Sequence, residues 1–536
     1  MKRENNRLYV IFGGGIGKFG ANFTIFSYNQ KNILIDAGIG FPNQNTPGIS
    51  KTLPNIELLH SFPLSAIIIT HAHEDHVGAL PYLYEMIEDK TPIFASPFSI
   101  ALIKHKLKDY GIKNEKFEFR SIEDNILFQH FDFEINSFFM PHSIPQSFSI
   151  GLTIKDLNMK IFFSGDFKTK GAEKRFNSKD LEKFSGVDYL FCDSTGSLID
   201  GYSEDENIII NNLSTTIKEW KGRVFITTFA SHIQRISGLY QIAKKTGRSF
   251  GILGFSIRAQ LRAAYESGEI DFPLHSIKNP SGKDQKSLWI IAGCQAEDNS
   301  SFFKLSNKET RRFHLDEHDL LIYSGSMIPG NEESIYNVLN EFAESGVNLL
   351  GLGNSYLHAS GHGRKKDISQ LLKWLKPKRV LPVHGDAVHF HAFRNILEDE
   401  NFDAKLYIPE VNTLYDLNSE MNKIQSIESE FFMVENDDIH KDYALCKRRK
   451  ELGKEGICNI VVDAKTYDLK SLNYIGSISS SFLDKHYDLL YSQVNDILKN
   501  NINSDSKQKE KKIKEKIFKL NQSVIKKSPF INLIMI

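Results

Sequence analysis

Short apolar runs that stop at a polar, ligand-type residue recur through the first two hundred positions. Ile33-Leu34-Ile35 stops at Asp36, Ala66 to Ile69 runs toward His71, Ile161-Phe162-Phe163 runs toward Gly165-Asp166, and Tyr189-Leu190-Phe191 leads to Asp193. Runs this short are strand-length, and chemistry gathered at strand ends is a habit of layered α/β scaffolds. From about Ser203 to Tyr323 the rhythm changes. Helical spacing over Asn207 to Trp220 and Ile233 to Lys245 alternates with strand patterns over Val224 to Thr227 and Leu288 to Ala292, which predicts an inserted α/β domain. After Leu349 an amphipathic helix carries Ile368, Leu371, Leu372 and Leu375 on one face and ends before Pro377; Val380 to Val383 then leads into His384. The first domain is therefore expected to be discontinuous, with a core over 1–205 and 349–420 and an insertion over 206–348. A third, small domain over 421–536 is predicted from a strand at Ile457 to Val462 and a helix near Tyr487 to Leu498.

Composition adds few constraints. The chain has 536 residues, 41% hydrophobic and 25% charged, enough for several cores. Acidic and basic residues balance at 66 each, so no overall field announces a polyanionic partner. From Asn501 onward, however, nine lysines face Asp505, Glu510 and Glu515. Ile513, Ile517, Leu520 and Val524 space out like one helical face among those lysines, which reads as a solvated helix packed on its own domain or a sister subunit before it reads as a nucleic-acid arm. The cysteines 192, 294, 446 and 458 form no Cys-x-x-Cys pair, against a thiolate zinc site or a disulfide framework and in keeping with a reducing, cytoplasmic setting. No window approaches the roughly 20 apolar residues of a membrane span.

Candidate chemistry concentrates in Thr70-His71-Ala72-His73-Glu74-Asp75-His76. His71 and His73 can point to one side of an extended segment, and Asp75 and His76 can turn toward a neighbouring ion. Nitrogen and oxygen donors without thiolates suit a catalytic rather than a closed structural zinc. Further candidates stand at strand ends beside Gly or Pro: His142, Asp166 and His384. Together they divide into His71, His73 and His142 for one ion and Asp75, His76 and His384 for a second, with Asp166 between them.

The ordered set Asp36, His-x-His-x-Asp-His, His142, Asp166 and His384 resembles the metallo-β-lactamase superfamily. That resemblance implies an αββα sandwich, with Asp36 bracing the metal loop. The insertion, His358-Ala359-Ser360-Gly361-His362 and Pro382-Val383-His384-Gly385 are similar to the β-CASP branch. Within it the chain resembles the ribonuclease J family through Gly13 to Lys18, Asp36-Ala37-Gly38 with Phe41-Pro42, His142-Ser143-Ile144-Pro145, Asp193-Ser194-Thr195, Phe229-Ala230-Ser231 with Arg235, and Ile328-Pro329-Gly330-Asn331-Glu332. Gln146 stands where that family usually has Asp, and Cys294 where it usually has Ser.

The resemblance implies an α/β protein with a metallo-β-lactamase core, an inserted β-CASP α/β domain and a small C-terminal α/β domain. It implies a ribonuclease that hydrolyses RNA phosphodiesters with two zinc ions, manganese being the alternative, and leaves 5′-phosphates by 5′-to-3′ exonuclease or endonuclease action. Asp75 and Asp166 would serve the metal centre, Glu204 would orient His362, and His362 would protonate the leaving oxygen. Ser231, His232, Arg235, His358, Ala359, Ser360, Gly361 and His362 would line the phosphate-binding region. Single-stranded RNA is the expected partner, with a homodimer or higher homo-oligomer through the C-terminal domain, an RNA-processing complex as a setting, and no membrane. Two alternatives stay open: a small-molecule ester or lactone hydrolase of the same fold, and an inactive RNA-binding scaffold subunit.

Overall fold

The computed structural model describes residues 3–536 other than 43–45, 172–174, 273, 278, 282–283, 311–313, 329, 353–355, 419, 429–431, 436–437 and 501–505. Pro329 of the Ile328–Glu332 motif and the start of the lysine-rich tail therefore lie outside the described residues. The chain divides into two compact units, Met1–Phe41 with Lys51–Phe432, and Pro42–Ser50 with Met433–Ile536.

The first unit holds two large mixed sheets. One has eight strands in the order Asn422–Ser426, Thr413–Asp416, Leu8–Gly14, Phe23–Tyr28, Lys31–Ile35, Ala66–Ile68, Thr91–Ala95 and Phe117–Ser121. The other has seven, in the order Lys405–Leu406, Arg379–Val383, Tyr189–Asp193, Met159–Phe163, Phe148–Ile154, Phe133–Phe139 and Leu127–His130. Side chains alternate across each strand. Phe12, Phe26, Ile33 and Ile35 of the first sheet meet Ile150, Ile161, Phe163 and Phe191 of the second in one apolar layer. The opposite faces are buried too: Phe162, Leu190 and Val380 pack under Ile368, Leu371 and Leu372 of the helix Lys365–Leu375 and under Phe393 of the helix Ala387–Asp399. Sheets covered on both faces explain why these strands read as continuous apolar runs, and the arrangement is the αββα sandwich expected. Each buried Phe, Leu or Ile adds about 1.5–3 kcal/mol.

The insertion carries a third sheet, fully parallel, in the order Ser249–Leu253, Ser287–Ile291, Val224–Thr227, Leu320–Tyr323 and Asn348–Leu350. Parallel strands need crossover connections, and helices at Ile233–Thr246, Phe255–Glu266 and Glu332–Glu344 supply them. The second unit has its own sheet, with Ile457–Val462 between Leu469–Ile475 and Phe530–Met535. Ile513 and Ile517 of the lysine-rich helix Ser506–Val524 are buried in that unit's core, so the apolar stripe packs on its own domain. The apolar end at Ile531 is part of a strand parallel to Ile457–Val462. Among the described residues, no helix is long and apolar enough to cross a membrane.

Candidate metal centre

The site is assembled at strand ends. The strand Ala66–Ile68 runs into an extended segment that places His71 and His73, and one helical turn, Glu74–Val77, then carries Asp75 and His76. His142 follows the strand Phe133–Phe139, Asp166 follows Met159–Phe163, and His384 follows Arg379–Val383. Asp36 and His384 leave their strands with positive φ, 59° and 54°, an uncommon backbone for such residues that turns the side chain sharply at the strand end.

Two donor sets result, sharing Asp166. In the first, His73 Nδ1 lies 3.0 Å from His71 Nε2 and 3.1 Å from His142 Nε2, and Asp166 Oδ2 lies 3.7 and 3.8 Å from those same Nε2 atoms. In the second, Asp75 Oδ2 is 2.9 Å from His384 Nε2 and 3.7 Å from His76 Nε2, and Asp166 Oδ2 is 3.3 Å from His76 Nε2. Donors to one tetrahedral zinc with bonds near 2.0–2.1 Å stand roughly 3.3 Å apart, so both sets fit such an ion.

Electrostatics divides the imidazoles. Burial holds His71 and His142 well below the usual histidine value and brings His73 to about 4, leaving lone pairs free for a metal. Burial opposes charge on His76 and His384 as well, but Asp166, with Asp36 and Asp75 beside His76 and Asp193 and Asp75 beside His384, raises both well above it. A cation in the second set would replace those protons.

Buried neighbours fix the ring orientations. Asp36 accepts from the Thr70 N–H at 2.8 Å and the Thr70 hydroxyl at 2.9 Å, and its Oδ2 lies 2.7 Å from His76 Nδ1. The Gly361 carbonyl lies 2.7 Å from His142 Nδ1, and Thr195 Oγ1 lies 2.7 Å from His384 Nδ1. From the insertion, Ser231 Oγ reaches 3.0 Å from His73 Nε2. Such partners set which nitrogen faces the ion.

Three expectations about side-chain partners change. Glu204 does not pair with His362; its carboxylate accepts from Arg364 at 3.1 Å. Ser203 just before it is pinned by Asp367, which accepts from both its N–H and its hydroxyl. The carboxylate on His362 is Asp193, 2.9 Å from Nδ1, and Asp166, Asp193, His362 and His384 form a third cluster. Asp193 ends an apolar strand just as Asp166 follows one, and that shared pattern was the signal available for it. Arg235 is fully buried and forks onto Glu206, both contacts at 2.7 Å; its Nη1 donates to the Ser324 carbonyl and lies 2.8 Å from His358 Nδ1. Its donors are spent inside the protein, so it does not offer a free fork to phosphate. His232 is likewise buried, with Nε2 3.3 Å from Glu206. Of the 358–362 segment, Ala359 is fully buried, Gly361 is buried, and Ser360 Oγ accepts from the His362 N–H at 3.1 Å.

Comparison with known proteins agrees with this architecture. Residues 31–218 match a model of the beta-lactamase superfamily domain, 221–342 the ribonuclease J beta-CASP domain, and 353–409 the Zn-dependent metallo-hydrolase RNA specificity domain. A ribonuclease J of Corynebacterium glutamicum is 30% identical over 74% of this chain, and the chain spans 56% of that relative's length. A ribonuclease J of Thermus thermophilus is 31% identical over 72% of this chain and 69% of the relative. A solved protein of unknown function from Enterococcus faecalis V583 shares the fold at TM-score 0.54 and 16% identity, covering 76% of this chain and all of that one. The chain belongs to the ribonuclease J family.

Proposed function

We propose that this chain is a metal-dependent ribonuclease that hydrolyses phosphodiesters of single-stranded RNA and leaves a 5′-phosphate, by 5′-to-3′ exonuclease action, endonuclease action or both. The observation that carries the proposal is the sharing of Asp166 by two donor sets, with the His362–Asp193 pair beside them. Family membership supports RNA as the substrate.

Two zinc ions, with manganese as the alternative, would be held by His71, His73, His142 and Asp166 and by Asp75, His76, His384 and Asp166, and would supply Lewis acidity and an acidified water. The chain's own residues handle orientation and protons. Asp166, common to both sets, fixes their spacing. Burial works against a charged His362, but Asp193 and Asp166 outweigh it and raise its pKa, which favours the protonated ring. Asp193 holds Nδ1, which leaves Nε2–H to protonate a departing 3′ oxygen. Grip on the sugar-phosphate backbone is independent of base identity. The same proposal includes self-association through residues 421–536, which sedimentation of the intact chain tests directly.

The deciding experiment is incubation with 5′-monophosphorylated RNA, with and without chelator, beside Asp75→Ala and His362→Ala. Cutting should require metal and fall by at least about 10²-fold in both variants. Intact RNA with metal-loaded wild type, or undiminished cutting by Asp75→Ala, overturns the proposal.

A further inference from the structure

Each imidazole of the first donor set turns one nitrogen toward the other donors and keeps the second for a hydrogen bond. His71 and His142 face the set with Nε2, and their Nδ1 atoms lie 3.1 Å from Thr70 Oγ1 and 2.7 Å from the Gly361 carbonyl. Both of those partners belong to the metallo-β-lactamase core. His73 faces the set with Nδ1 instead, so as a ligand it carries its proton on Nε2 and donates it to Ser231 Oγ at 3.0 Å. Ser231 is the hydrogen-bond partner of that nitrogen among the described residues, and it belongs to the insertion.

Ser231 is stiffly held. It follows Val224–Thr227, the central strand of the insertion's parallel sheet, in the turn that enters the helix Ile233–Thr246. In that turn the His232 N–H donates to the Phe229 carbonyl at 3.1 Å and the Ile233 N–H to the Ser231 carbonyl at 2.8 Å, and Arg235 pins the helix to Glu206. Elsewhere the insertion is seated on the core through Glu269, which accepts from Gln146 Nε2 at 3.0 Å, and through Glu266, 3.0 Å from His105 Nε2. An imidazole braced on its far side meets an ion already oriented; an unbraced one must give up its freedom to turn when the ion binds. Coupling of this kind is reciprocal, so an ion that fixes His73 must in turn favour the seated insertion.

We propose that Ser231 is a positioning residue through which the insertion completes the first donor set, so that seating of the insertion on the core and binding of the first ion strengthen each other. The proposal rests on the assignment of metal to these donors and is independent of the RNA reading.

The test loads the intact chain with zinc and strips it in a graded chelator series. Wild type should hold two ions. Ser231→Ala should lose one of them at about 10–100-fold lower free chelator and keep the other as wild type does, and Ser231→Thr, which retains the hydroxyl, should restore the loss. Conversely, zinc should slow amide hydrogen exchange over residues 229–236 in wild type, and that protection should shrink in Ser231→Ala by the factor lost in affinity. The inference is overturned by a Ser231→Ala chain that holds both ions as tightly as wild type, that loses both together, that Ser231→Thr does not rescue, or whose turn zinc protects as fully as before. Wild type that retains no zinc defeats the metal assignment itself. Intact RNA alongside a Ser231-dependent ion counts against the nuclease reading and leaves the positioning role standing.

Discussion

His362 Nδ1 stands 2.9 Å from Asp193 Oδ2, and the Asp193 side chain is 1% exposed. Burial and the neighbouring Asp166 would push this carboxyl up, yet His362 and His384 hold it well below its usual range. An ionised, immobile carboxylate behind an imidazole fixes both its tautomer and its aim. Asp193→Asn should therefore lower kcat for RNA cleavage by about 10²–10⁴-fold, with little added loss on combination with His362→Ala, because the two act as a unit. Glu204→Gln should cost far less. Single-turnover rates of the three variants and the double mutant check the ordering.

Asp36 is fully buried and satisfies Thr70 N–H, the Thr70 hydroxyl and His76 at once. Asp36→Ala leaves those donors unpaired and lets the His76 ring turn. Metal affinity should fall about 10–100-fold, measured as zinc retained after dialysis against a graded chelator series. Metal that binds only the folded chain also stabilises it, by about 2.7 kcal/mol at 100-fold excess over Kd. Chelator should accordingly lower the wild-type Tm, and lower that of Asp36→Ala much less.

The Arg235–Glu206 fork is buried at both ends, 0% exposed on either side chain. Removing one partner of such a pair leaves an uncompensated charge and costs about 3–5 kcal/mol, so Arg235→Ala should lower unfolding free energy by that order. A phosphate clamp would instead raise KM and leave unfolding unchanged. Burial works to raise the Glu206 pKa, but His232 and Arg235 hold it well below the ordinary value. A carboxylate depressed in the folded state contributes stability that is present above its unfolded value, about 4.3, and lost as pH falls through the folded one. The gap between wild type and Arg235→Ala should be full at pH 7 and narrow only below about pH 4. Denaturant titrations across that range measure it.

What could be read from the chain and what could not follow a physical divide. His71, His73, Asp75 and His76 fall within six consecutive positions, and His142, Asp166 and His384 each follow a strand, so local pattern exposes all seven. The choice of partner is tertiary. Glu206 meets Arg235 from 29 positions away and Asp193 meets His362 from 169, distances over which no periodicity speaks. The strand Phe530–Met535 pairs in parallel with residues more than seventy positions earlier, so its apolar run carried no local sign of a sheet. The two-layer stacking of the sheets came from family resemblance, since buried strands look alike in many α/β folds.

Glycine tests the close approach on which the centre depends. A Cβ on Gly38 would fall onto the Asp75 carbonyl and crowd the His76 nitrogen, backbone atoms with no rotamer to escape through. Ala37 and Ile39 accordingly donate their N–H groups to the carbonyls of His76 and Glu74. Gly38→Ala must separate that strand-end loop from the turn carrying Asp75 and His76, so it should lose stability by more than about 1–3 kcal/mol, the usual cost of an overpacked site, and lose metal from the second donor set with it. Gly453 is the control. It lies within the helix Tyr443–Glu455, nothing stands within 4 Å of its Cβ position, and its φ is ordinary. Gly453→Ala should stabilise its unit by about 0.5–1 kcal/mol and leave zinc content unchanged. Thermal unfolding and metal analysis of the pair decide it: equal effects from the two substitutions would mean that the Gly38 contact does not shape the site.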